Sequence, residues 1–178
     1  MKRLVRPLLV ALAALFGALL VAAGIGLLLP RHHVVVSSLT LRKPATEVWG
    51  AISDVATQPV WRSDLTRTER LPDHDGREVW LQQGEIGEWA VEFVHREPPR
   101  LLVAAVADSS QGFGGTWTYE LEPLEDATLL TITERGFIDD PLLRFLARFV
   151  FGLHGSQQDY LTDLARHLGE ETAPRQVR

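Results

Sequence analysis

Polar and apolar positions divide the chain into two unlike parts. Residues 7–29, PLLVALAALFGALLVAAGIGLLL, run for 23 positions without a charge. A helix of that length spans roughly 35 Å at about 1.5 Å per residue. The hydrocarbon core of a bilayer is about 30 Å thick. No polar face interrupts the run, which argues against a buried helix of a soluble domain. Lys2, Arg3 and Arg6 precede it, and Pro7 suits a first helical turn. The pattern predicts a basic flank over 1–6 and a single-pass transmembrane helix over 7–29. The competing reading is a signal peptide cut after Val21-Ala22-Ala23. Against it, the apolar run continues through Ile25 and Leu27 to Leu29, so cleavage would leave an apolar terminus.

After Pro30 the pattern becomes that of strands. HVVVSSLTL (33–41) is rich in β-branched residues and predicts the first strand. Pro44 ends it and opens a helix in which Val48, Trp49, Ile52 and Val55 fall at helical spacing. Asp54 caps a second short helix that stops near Pro59. Residues 65–71 predict a weaker strand, and DHDG (73–76) a turn. Four further strands are expected over 77–83, 86–96, 100–107 and 116–122, and a last one over 128–137. In the second of these, Trp89, Val91, Phe93 and His95 share one face by alternation. SSQGFGG (109–115) reads as a Gly-rich loop in which Phe113 caps an opening, or as a plain turn. Asp139-Asp140-Pro141 is a helix start. Leu142, Phe145, Leu146, Phe149, Leu153, Tyr160, Leu161, Leu164 and Leu168 then follow a helical rhythm, predicting one long amphipathic helix. Gly152 and Gly155 interrupt it, and the tail 171–178 is polar and loose.

These elements predict an α+β domain over 31–170. About seven antiparallel strands curve around one long C-terminal helix, with two short helices after the first strand. Space is expected between sheet and helix, widened by Ala104, Ala105 and Ala107.

Charge narrows the partners. Residues 1–31 hold four basic residues and no acid, so residues 32–178 hold 14 basic and 23 acidic residues, a net of −9. That surface is unsuited to nucleic acid, and any membrane contact is expected through 7–29. The basic flank favours a cytoplasmic N-terminus and an extracytoplasmic, periplasmic domain. Arg31, Arg42 and Lys43 beyond the helix weaken that preference. There is no cysteine, so redox chemistry does not report the compartment. HExxH, paired cysteines and GxSxG are lacking, and GFGG does not precede a helix. No cofactor and no metal are therefore expected.

PATEVWGAISDVATQPVWRSDL (44–65), EPPR (97–100), GTWTYELEP (115–123) and the stretches 128–152 and 159–170 together resemble the START-like, helix-grip superfamily. The closer resemblance is to its polyketide cyclase/dehydrase branch, over about residues 33–170. It implies a cavity for an apolar ligand between the sheet and the long helix. Such folds host carriers, receptors, cyclases and co-chaperones, so fold alone does not choose a chemistry.

Within that expectation Trp89, Phe93, Trp117, Tyr119, Phe145 and Phe149 are candidate cavity lining, the alternative being ordinary core. Glu134 shares a face with Leu130 and Ile132, and Arg135 faces away. A carboxylate there is a candidate ligand anchor or general acid with a pKa raised by desolvation, the alternative being a strand-end glutamate with a basic partner. His95 is a second acid/base candidate, and His154 lies beside the two glycines. The expected function is a membrane-anchored binding protein or carrier for a hydrophobic small molecule or lipid. The alternatives are a cyclase/dehydrase-like enzyme using Glu134 or His95, and a protein-interaction module of co-chaperone type. Trp49 is expected to pack inward as a lid, and Trp61 to anchor the return into the second strand.

Overall fold

The computed structural model describes residues 2–84 and 87–177. Eight strands form one sheet in the order β2-β3-β4-β5-β6-β7-β1-β8, with every pair antiparallel. They are β1 (His32–Leu41), β2 (Leu65–His74), β3 (Arg77–Gly84), β4 (Gly87–Glu97), β5 (Leu101–Val106), β6 (Phe113–Pro123), β7 (Thr128–Ile138) and β8 (Arg175–Gln176). Residue 86, the expected start of β4, lies outside the described residues.

Strands β2 through β7 each pair with the next in sequence, and β1 closes on β7 through a ten-residue ladder from His32↔Phe137 to Leu41↔Thr128. Alternation works as expected along β1, where Val35, Ser37, Leu39 and Leu41 are buried. The tail is not loose throughout. Arg175 and Gln176 pair with Ser38 and Ser37, adding an eighth strand that covers the free edge of β1.

Between β1 and β2 lie α2 (Ala45–Ser53), a 3₁₀ turn at Val55–Thr57 and α3 (Gln58–Trp61). Val48 and Ile52 of α2 are fully buried against Leu102, Leu121, Leu130 and Ile132 of the sheet. The same core takes Leu161 and Leu164 from α5 (Gly155–His167), and Leu168 just after it. Each such aliphatic side chain contributes about 1.5–3 kcal/mol by leaving water.

The single long C-terminal helix does not form. Asp140 caps α4 (Pro141–Leu146), its carboxylate accepting from the Leu143 N–H at 2.8 Å. A π-helical turn follows at Ala147–Phe151. Gly152 then adopts φ 76° and ψ 136°, a backbone state that favours glycine, and the chain turns before α5 begins. The apolar rhythm from Leu142 to Leu168 is real, but its two halves face different partners. The α5 half packs on the sheet. The α4 half packs on α1 (Lys2–Leu28), the N-terminal apolar helix.

Within α1, Leu9–Leu28 is long and apolar enough to cross a membrane. Its side chains are mostly exposed, Phe16 at 63% and Leu20 at 58%, so it is not a core helix of the domain. Pro7 lies inside α1, not in its first turn, because the helix begins at Lys2. The proline removes one backbone donor close to the helix end, where few bonds depend on it.

Candidate ligand-binding groove

The strand registers place a row of side chains across the concave face. Phe93 lies opposite Ala104, Ala104 opposite Trp117, Trp117 opposite Glu134, and Glu134 opposite Val35. The next row runs Leu102, Tyr119, Ile132, Ser37. Four residues of these two rows that were expected at the site, Phe93, Trp117, Tyr119 and Glu134, therefore share one surface. Trp89 extends it toward β3, where its indole N–H donates to Gln82 Oε1 at 3.1 Å.

Helix α5 packs beside β1 and meets this row at Tyr119, through Tyr160. Phe93, Trp117 and Tyr119 pack against the core yet remain partly exposed, as does Trp89. The result is a candidate groove: a row of aromatic rings left partly exposed on the inner face of the sheet. Ala104 is the small residue that deepens it, between Phe93 and Trp117. Ala105 pairs with Glu92 and Thr116 and lies on the opposite face.

Glu134 points inward as expected, and Arg135 is exposed. Glu134 is not a lone carboxylate, however. His33 Nε2 lies 3.1 Å from Glu134 Oε1, and each side chain is only 16% exposed. His33 precedes Val35 by two residues and so shares its inward face. The sequence carried the signal in the alternation of β1, but not the β1/β7 register that brings the two side chains together.

His95 does not join them. A β-bulge between Phe93 and His95 shifts the register, so His95 lies opposite Val103 and turns to the outer face. Its Nε2 sits 2.9 Å from Glu97 Oε1, and its side chain is 49% exposed. Phe145 and Phe149 also lie elsewhere. Their rings meet at 5.0 Å, tilted by 46°, on α4 and the π-helical turn after it, and Phe149 is 59% exposed. The swing of that segment onto α1 removes both from the groove. His154 stands in the turn before α5 with a buried Nδ1 that has no partner.

The Gly-rich stretch is not a flexible entrance. Phe113 to Gly115 belong to β6, and Phe113 pairs with Ile138. A Cβ at Gly115 would lie 2.4 Å from the Arg135 carbonyl oxygen. The glycine there permits close strand approach; it does not supply motion.

Below the aromatic wall lies a buried polar floor. Tyr160 of α5 sits 5.8 Å from Tyr119, ring to ring, and its hydroxyl is buried with only the Tyr119 hydroxyl near it. Ser37 Oγ and Gln157 Oε1 are buried and unpartnered, although Gln157 Nε2 donates to the Val35 carbonyl at 3.3 Å. Burial pushes the Tyr119 hydroxyl up to about 12, with the nearby Glu134 charge adding and Arg62 opposing. Burial also holds Tyr160 well above the ordinary range.

Trp61 packs edge-on to Tyr160 at 5.4 Å and stacks on His167 at 5.5 Å. It joins α3 to the C-terminal helix as well as marking the return into β2. Trp49 packs against the core from α2. Arg62 lies over the Tyr160 ring at 5.1 Å and pairs with Asp64 at 2.6 Å. Among the described residues no cluster of His, Cys, Asp and Glu is arranged to hold a metal.

The comparisons agree with this architecture. A family model described as polyketide cyclase / dehydrase and lipid transport matches residues 32–169. Among solved structures, the Zhui aromatase/cyclase from Streptomyces sp. R1128 superposes with TM-score 0.62 at 13% identity, covering 78% of this chain and 94% of that one. Norcoclaurine synthase from Thalictrum flavum gives TM-score 0.60 at 12% identity, over 79% and 88%. A START superfamily protein from Mycobacterium smegmatis gives 0.59 at 16%, over 76% and 99%. At these identities the likeness is one of fold. No curated protein matches the chain. The family match spans strands β1 to β7 and the helices α2 and α5 that pack on them, and the chain belongs to the polyketide cyclase/dehydrase and lipid transport family, with the START-like fold.

Proposed function

We propose that this chain is a membrane-anchored binding protein or carrier for a single hydrophobic small molecule or lipid. The observation that carries the reading is the partly uncovered aromatic wall of Trp89, Phe93 and Trp117 above buried, unpartnered polar atoms. Large apolar surface left open in a folded domain marks a binding surface. Buried polar atoms without partners call for one from outside the chain. The matching ligand has an apolar body and one polar end, the body on the indoles and the end near Ser37, Gln157 and Tyr160.

Connectivity supports a membrane source. α1 ends at Leu28, and His33 follows five residues later. Five residues reach at most about 18 Å, so the His33–Glu134 end of the groove lies close to the end of the apolar helix. A ligand dissolved in the bilayer then needs only a short aqueous passage. In this reading the domain is extracytoplasmic, following the basic flank before α1.

A second reading, a cyclase/dehydrase-like enzyme, is favoured by the same pair. A carboxylate and an imidazole at 3.1 Å beside an apolar wall have the parts of an acid/base couple. Native mass spectrometry of the full chain, extracted with its membrane lipids, separates these. A carrier retains one stoichiometric apolar molecule. An enzyme converts added aromatic or polyketide-like substrates, and Glu134→Gln abolishes that turnover. The interaction-module reading predicts neither.

A further inference from the structure

The half of the C-terminal rhythm that left the groove has its own logic. Pro141 rests on Gly26 of α1 so closely that a Cβ at Gly26 would meet the Pro141 carbonyl oxygen at 1.8 Å. Leu142, Phe145 and Leu146 then line a crevice of about 470 Å³ whose other wall includes Gly17, Ala18 and Ala22. The shared surface therefore starts with contact at Gly26, two residues from the end of α1, and the crevice extends it to Gly17, eleven residues from that end. At about 1.5 Å per residue this is roughly 16 Å, about half a hydrocarbon core.

The face turned away from α1 is apolar as well. Leu143 is 48% exposed, Phe149 59% and Val150 61%. Beside a helix with the length and composition of a span, that face has lipid as its natural cover. The backbone suits this setting. Residues 141–151 are helical throughout, α and then π, so the interior backbone groups bond within the segment, Asp140 caps its first turn, and only the last carbonyls are left at the Gly152 break. The charges suit it too. Arg144 carries its guanidinium back toward the domain, where Nη1 donates to the Leu29 carbonyl at 2.8 Å. Arg148 is exposed on a stem long enough to snorkel.

We infer that residues 141–151 form a second bilayer-immersed element, an apolar arm that enters the lipid beside α1 and holds the His33–Glu134 end of the groove at the membrane surface. The inference rests on the reading of α1 as a membrane span. The arm gives the domain a fixed orientation, which one flexible tether would not.

The chain has no cysteine, so single nitroxide labels need no background substitutions. Phe149→Cys and Val150→Cys change exposed positions, and neither removes a core contact. Leu15→Cys in α1 and Glu120→Cys on β6, both exposed, serve as lipid and water references. The full chain is reconstituted in phosphatidylcholine/phosphatidylglycerol vesicles, and each label's relaxation by oxygen and by a water-soluble nickel chelate is compared. The expected result is that labels at 149 and 150 follow the one at 15, with oxygen dominant. If both follow the label at 120 while 15 stays in lipid, the arm lies in water and the inference is overturned with the anchor intact. If 15 itself follows 120, the anchor reading fails and the inference falls with it.

Discussion

Glu134 Oε1 and His33 Nε2 stand 3.1 Å apart, on neighbouring strands whose other inward residues are almost all apolar. The two lie 101 residues apart in the sequence, and only the β1/β7 register unites them. Both side chains are mostly buried, so each is the other's main substitute for water. Removing either partner is expected to cost about 1–3 kcal/mol of stability. The double substitution Glu134→Gln/His33→Gln should cost less than the sum, with a coupling of about 0.5–3 kcal/mol. Chemical unfolding of the four species, followed by tryptophan fluorescence, gives the coupling, and strict additivity would contradict the pairing.

The tryptophans divide into two kinds. Trp61 joins α3 to Tyr160 and His167, so Trp61→Ala is expected to destabilise the domain by about 3 kcal/mol. Trp117 and Trp89 wall the groove and are partly exposed. Their alanine variants are expected to unfold at a smaller cost while losing most binding of an environment-sensitive apolar dye. Thermal unfolding and dye titration on the same samples check the contrast. Equal stability losses with unchanged dye binding would assign all three to the core.

The chain has two tyrosines, Tyr119 and Tyr160, and burial raises both. An unfolded tyrosine ionises near pH 10, whereas Tyr119 holds its proton to about 12. Between these values the folded state binds more protons than the unfolded one, so stability falls as pH rises. Below pH 10 this contribution is full, and toward pH 12 up to about 2–3 kcal/mol is lost through Tyr119. Absorbance of the phenolate during alkaline titration should stay flat through pH 10 and rise with unfolding. Half-ionisation at pH 10 in the folded chain would place the rings in water.

Gly152 ends the arm in a backbone state that favours glycine. Gly152→Ala is expected to cost of order 1–3 kcal/mol, and it shifts the balance toward one continuous helix from 141 to 167. Gly26→Leu acts from the other side, since any Cβ there meets Pro141. Tryptic cleavage in membranes reports on both. Arg144 is buried in the native chain and should become cleavable in Gly26→Leu.

Much of this architecture was legible in the sequence because alternation and helical spacing are local. β1, β4 and β7 each announce an inward face, and Glu134 and Trp117 were found that way. What was lost depends on contacts between distant segments. The bulge after Phe93 turned His95 outward, and no property of residues 93–95 alone announces it. The spacing of Leu142, Phe145 and Leu146 gave one helical face but could not say that α1, not the sheet, would receive it, and Phe149 falls outside that face. His33 carried no signal until β1 and β7 were in register. The glycines at 112–115 suggested mobility, because a close strand approach leaves the same mark as a loop.

The central claim is that the groove holds one apolar molecule drawn from the membrane. Native mass spectrometry of the full chain released from membrane nanodiscs tests it most directly, with a Trp89→Ala/Trp117→Ala variant prepared alongside. Lipids bound merely along α1 appear equally in both. The account predicts one additional stoichiometric apolar adduct in the native chain that is absent from the variant. Identical adducts in the two proteins would contradict it.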